Sequence, residues 1–275
     1  MLHHSFIVYA VIAGTAVAAL CGPAGYFLVL RNQVFAADAL GHIAYTGAMA
    51  ALIVGLDLRA GLFVGAVLVG LILGAGGRRG ADDVAIGSFF SWVLGLGVLF
   101  LTYYTLHGSH TNGAANVNVL FGSIFGLSAH AAGQAVLVSV AAGLILVAIA
   151  RPLLFATIDP AVAAATGIRT RLLGALFLGV VGATVAEASQ VIGALLVLGL
   201  LAAPGAAAAR LTTRPWSGIW LSAILAVAAV WGGIVLAHLI RAAPASFTIM
   251  ITSATVYLAA GIIDIRKTRR HFVSP

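Results

Sequence analysis

The sequence predicts an all-α fold, a polytopic bundle of about eight to nine transmembrane helices. Three observations lead there. Of the 275 residues, 62% are hydrophobic and 8% charged, with a mean hydropathy of +1.14; a soluble domain is about half apolar and a quarter charged. The apolar runs are roughly 18 to 24 residues long and do not alternate, which suits helices crossing about 30 Å of hydrocarbon and not barrel strands. The 14 lysines and arginines gather in short segments between these runs. The lipid bilayer is therefore the first partner, and residues 1–275 read as a single transmembrane domain.

Taken in order, the candidate spans are 6–30, 35–56, 60–76, 85–106, 131–150, 172–188, 190–210, 216–240 and 246–265. The first has no Lys/Arg-rich start, and Leu20 directly precedes Cys21. Both features favour a retained span over a signal peptide. The piece 117–128, "VNVLFGSIFGLS", is too short to cross and is expected to be re-entrant or interfacial. Spans 172–188 and 190–210 are separated only by the polar tetrad "EASQ", so Glu187 is expected in a tight link, as a solvated carboxylate or in an outer vestibule.

An outside N-terminus puts loops 31–34, 77–84, 151–171, 211–215 and 266–275 in the cytoplasm. These hold Arg31, Arg78, Arg79, Arg151, Arg169, Arg171, Arg210, Arg214, Arg266, Lys267, Arg269 and Arg270, leaving only Arg59 and Arg241 outside. Such a bias is the usual signature of orientation, and it places the C-terminus inside. The longest inner loop contains a short helix. Asp159 is its N-cap, Pro160 its first residue, and Gly167 its stop. A helix so placed either lies on the membrane surface or docks a cytoplasmic partner.

The net charge of +7 follows from these loops and is not read as a nucleic-acid surface. Cys21 is the only cysteine, which excludes an internal disulfide. The single lysine, Lys267, follows no glycine loop, so the chain has no P-loop. Any ATP hydrolysis belongs to a separate chain. With neither HExxH nor GxSxG present, no catalytic residue is assigned; the expectation is a non-enzymatic chain with no bound cofactor.

Polar chemistry inside a span is rarer and more informative. Asp38 and His42 lie four residues apart, hence on one helix face. A carboxylate at the bilayer centre costs about 2.5–3.5 kcal/mol on insertion scales, so it should face a cavity or a partner. Carboxylate oxygen with imidazole nitrogen suits divalent Mn, Fe or Zn. The pair either lines a metal path or hydrogen-bonds between helices. Six further histidines, His3, His4, His107, His110, His130 and His238, fall near the outer face, where "LHGSHTNG" could collect metal or simply be solvated.

These residues also carry a resemblance. "GPAGYFLVLRNQVFAADALGHIAYTGAMA" is similar to the first two spans of the membrane permeases of manganese/zinc/iron-type (ABC-3) importers, with Gly22, Pro23, Arg31, Phe35, Asp38, Ala39, Leu40, His42 and Gly47 in the pattern. "DDVAIG", "VLFGSIFGLS", "IDPAVAAATGI" and "QVIGALLVLGLLAAPGAAAARL" resemble later motifs of the same family, in order along nearly the whole chain. The resemblance implies a permease subunit in the bacterial inner membrane that imports Mn2+, Zn2+ or Fe2+. It implies a second copy of the permease, a cytoplasmic ABC ATPase dimer and an extracellular solute-binding protein. Asp38 and His42 would meet the metal. A coupling helix at about 155–168, carried by Asp159, Pro160, Ala163 and Gly167, would dock the ATPase. Three positions depart from the pattern: Gly41 for a serine, Ala161 for an acidic residue and Ala207 near a threonine. The Ala/Arg-rich composition fits an actinobacterial branch that accompanies surface-anchored repeat proteins. A metal-chelate (haem or siderophore) permease is one alternative. An ATP-independent secondary transporter is another; it should show inverted repeats, and no clear repeat is present.

Overall fold

The computed structural model describes residues 5–76, 83–107, 122–194, 196–240 and 243–273. All its elements are helical: α1 (Ser5–Leu30), α2 (Val34–Val54), α3 (Leu58–Ala75), α4 (Asp83–His107), a 3-10 turn (Ile124–Gly126), α5 (Ala129–Ile158), α6 (Pro160–Ala165), α7 (Thr170–Ile192), α8 (Val197–Leu211), α9 (Pro215–Leu239) and α10 (Ala245–Val273). Eight of these are long and apolar enough to cross a membrane. His3, His4, His110, Arg78, Arg79 and Arg241, with residues 117–121, lie outside the described residues.

The helices form two sheaves. One holds α2, α3, α4 and α7; the other holds α1, α8, α9 and α10; α5 packs against α1 and α7 and bridges them. Within each sheaf the backbones touch at glycines. A methyl added at Gly47 or Gly74 would collide with the backbone of Gly61 or Gly174; one at Gly22 or Gly205 would collide with Ser222 or Gly25. Small residues at crossings are how helices associate in lipid, where apolar burial drives little. Between sheaves the contact is through side chains, centred on Phe27 and Phe177, both fully buried, with ring centroids 6.0 Å apart. α7 is the central helix, with 83% of its apolar window buried, whereas α4 is peripheral at 11%.

These pairings also sort the loops. Arg31 bonds Thr157 at the end of α5, the end of α3 meets the start of α7, and Tyr26 abuts Gly218 at the start of α9. Segments 31–33, 158–169 and 212–214 therefore share one end of the bundle, as the charge pattern predicts.

The sequence reading is corrected at the α7–α8 link. α7 does not stop at the polar tetrad; it runs through Glu187 to Ile192, and Glu187 is a buried helical residue. The chain then breaks at Gly193, whose φ of +100° favours glycine, and resumes in α8. α8 has 15 residues, about 22 Å of helix, which is short for a full crossing. The break is tolerated because protein encloses it. Ala194 is buried in a cluster with Tyr45 and Met49, and Gly122 abuts Ile192 and Gly193. Ile124 of the 3-10 turn is buried, so the described part of the expected re-entrant piece enters the bundle.

Candidate functional site

α2 buries Ala36, Ala37, Ala39 and Leu40 and leaves Phe35, Asp38 and His42 more open. Asp38 and His42 are both half-buried, one helical turn apart. Phe90 of α4 closes one side. Its ring lies 5.0 Å from that of His42 at 69°, and 6.0 Å from that of Phe35. The hydroxyl of Thr46 lies 3.0 Å from the carbonyl oxygen of His42 and 3.2 Å from that of Val93, which fixes α2 against α4. Among the described residues, neither Asp38 nor His42 makes a side-chain hydrogen bond or ion pair, to the other or elsewhere. The interhelical hydrogen bond expected of a structural pair is thus missing. No group of three or more His, Cys, Asp or Glu among the described residues could hold a metal. One chain offers a single carboxylate and a single imidazole, an incomplete set for a transition metal.

Gly41, between these two residues, has a structural reason. A Cβ there would lie 3.3 Å from the carbonyl oxygen of Ala194. A serine would press on the α7–α8 link, and glycine accommodates it. A cavity of about 510 Å³ between the α1–α2 turn, α8 and α10 reaches Val34, one turn before Asp38 on the same face of α2.

A second polar cluster joins α3, α5 and α7. Arg59 donates from Nη2 to Glu187 Oε2 at 2.8 Å and from Nη1 to Gln134 Oε1, and its guanidinium lies 5.8 Å from the Phe63 ring. Glu187 is 3% exposed and Arg59 21%. Asp57 caps α3, accepting from the Arg59 backbone N–H at 2.6 Å. This cluster was not anticipated. The one available signal was a lone arginine and a lone glutamate, each bordering an apolar run on the outer side.

At the opposite end, α6 has the expected caps. Asp159 Oδ1 accepts from the backbone N–H groups of Ala161 and Val162, each at 3.0 Å, and Gly167 takes φ +87°. Ala163 is fully buried against the chain's own core, so it is not open to a partner. The open surface includes Ile158, Pro160, Ala161, Val162, Ala164, Ala165 and Gly167. Just before α6, Thr157 accepts from Arg31 at 3.3 Å. Arg31 also bonds Gln33 at 3.0 Å and lies over Phe177 at 5.6 Å. Burial lowers the pKa of this guanidinium. The residue ties the start of α2 to the segment carrying α6. His130 and His238 are exposed and join no cluster among the described residues.

Comparison with known proteins agrees along the chain. The family model of the ABC 3 transport family matches residues 3–264. The manganese transport system membrane protein MntC of Halalkalibacterium halodurans is 29% identical over 94% of this chain and 88% of its own length. The manganese import system permease protein ScaB of Streptococcus parasanguinis is 27% identical over 94% and 90%. Among solved structures, PsaBC from Streptococcus pneumoniae in complex with Fab superposes with a TM-score of 0.81. The match has 24% identity and covers 94% of this chain and 91% of that one.

Proposed function

Because the chain belongs to the ABC 3 transport family, we propose that it is the membrane permease subunit of an importer that carries Mn2+, Zn2+ or Fe2+ across a bacterial inner membrane. The observation that carries this reading is the Asp38–His42 face, where a carboxylate and an imidazole sit together on a membrane helix with no side-chain hydrogen bond or ion pair among the described residues. Groups left unpaired in that setting are costly unless something else binds them. Two copies of the chain, with these faces towards a common axis, bring two carboxylates and two imidazoles to one ion. Such a set coordinates a metal transiently and releases it.

The energy comes from a separate ATPase dimer, and an extracellular solute-binding protein delivers the ion. The basic end of the bundle, with α6, faces the cytoplasm, as does the C-terminus; the N-terminus is outside. The ATPase seats on the open residues of α6. Its closure moves α6 and Thr157, and Arg31 passes that motion to α2, where the ion is held. Alternating access follows from this linkage.

The test is uptake by proteoliposomes holding this chain with its ATPase, with Mn2+, Zn2+ and Fe2+ supplied separately. ATP-dependent uptake of at least one ion is expected, and Val162→Glu on the open face of α6 should abolish it without altering thermal stability. Metal uptake that persists when the ATPase is omitted would favour a secondary transporter instead.

A further inference from the structure

A groove of about 230 Å³ runs between α1, α5 and α9. Its walls include Pro23 and Phe27 of α1, Leu146 and Val147 of α5, and Trp216 and Trp220 of α9. Both tryptophans are exposed, at 48% and 70%. Two arginines stand where the groove reaches the basic end of the bundle. Arg151 is one turn beyond Val147 on the same face of α5, and Arg214 is the N-cap of α9, two residues before Trp216. Both are exposed, and neither guanidinium makes an ion pair among the described residues.

We propose that this groove is a binding site for an anionic phospholipid, with an acyl chain in the apolar channel and the headgroup phosphate between Arg151 and Arg214. The dimensions choose the occupant. A helix with side chains is about 10–12 Å across, bulky for an apolar groove of this size, whereas a segment of one acyl chain is slender enough to lie in it. The charge chooses the headgroup. Basic sites between spans attract anionic lipids, and guanidinium forks match phosphate oxygens in two-point contacts. Tryptophan at the same level is the side chain that settles between acyl chains and headgroups.

Trp216 and Trp220 provide the readout. Trp92 and Trp231 are replaced by phenylalanine and the protein is placed in nanodiscs with fixed proportions of phosphatidylcholine and phosphatidylglycerol. Brominated chains are carried by one lipid or by the other at equal mole fraction. The proposal expects brominated phosphatidylglycerol to enrich at the groove on the order of ten-fold over brominated phosphatidylcholine. Arg151→Gln/Arg214→Gln should bring that preference close to one. A protein retaining only Trp92, on α4, should show no preference, which separates a site from general recruitment of acidic lipid. Equal quenching by both lipids in the parent protein overturns the proposal, whether or not the double variant folds. So does a preference that survives the double substitution in a protein of unchanged melting temperature.

Discussion

Glu187 on α7 lies 2.8 Å from the guanidinium of Arg59 and is almost fully enclosed, while Asp38 on α2 is half-buried and bonds to no other described residue. Both are carboxylates on apolar helices, where an uncompensated charge is expensive. The first is compensated inside the chain, by a cation that also reaches Gln134 and so joins three helices. The second has no such partner among the described residues; on the proposed function, the transported ion takes that place. A membrane carboxylate is therefore read better by its partner than by its position: an internal cation marks a clamp, and a carboxylate with no partner among the described residues is open to a ligand.

The comparison can be broken most forcefully at the clamp. Arg59→Met removes the cation and leaves Glu187 buried alone, a change that typically costs about 3–5 kcal/mol. Thermal unfolding in detergent should show a large drop, and the double variant Arg59→Met/Glu187→Met should regain most of it. If Arg59→Met melts like the parent protein, Glu187 is not clamped by it. The next effect is on transport rather than stability. Asp38→Asn and His42→Ala should each lower metal uptake per folded complex on the order of ten-fold or more, about 1.4 kcal/mol per decade, with the melting temperature unchanged. A loss of stability with normal uptake in the survivors would move this pair into the class of Glu187. Asp159 provides a third, milder carboxylate, outside the spans and bonded only to backbone N–H groups of α6. Asp159→Ala should loosen that helix by about 1 kcal/mol, leave the global melting temperature in place and reduce ATP-driven uptake a few-fold. Unaltered coupling in that variant would show that the order of α6 is unimportant to the ATPase.

Most of the architecture was legible because span length and loop charge are local signals. Apolar runs located the eight long helices, and the arginine pattern anticipated which loops share an end. The caps of α6 were equally readable, since Asp159, Pro160 and Gly167 act within one short segment. Asp38 and His42 were visible as polar residues inside an apolar run. What stayed hidden was tertiary. Arg59 and Glu187 are 128 residues apart, and "EASQ" has the composition of a loop although it continues α7. The break at Gly193 was masked by the apolar residues that follow it. It is tolerated because α2 and the 3-10 region enclose that link, which no property of the link itself reveals. The burial of Ala163 was concealed in the same way, since a run of alanines does not show which one faces inward.

The glycine crossings have a mechanical consequence. Helices that touch backbone to backbone cannot shear past one another without lifting a carbonyl over a Cα, so each sheaf behaves as one stiff body. The seam between the sheaves is softer, because it is made of side chains such as Phe27 and Phe177 that can change rotamer. Compliance then concentrates there and at the two places where the chain passes from sheaf to sheaf, the α1–α2 turn and the Gly193 link. A motion of one sheaf relative to the other would be taken up at those places. Both adjoin the ends of the segment that carries the charge: Asn32, with its φ of +54°, lies six residues before Asp38, and Ala194 lies against Gly41. A pivot of one sheaf on the other therefore acts first on the stretch of α2 that holds Asp38 and His42.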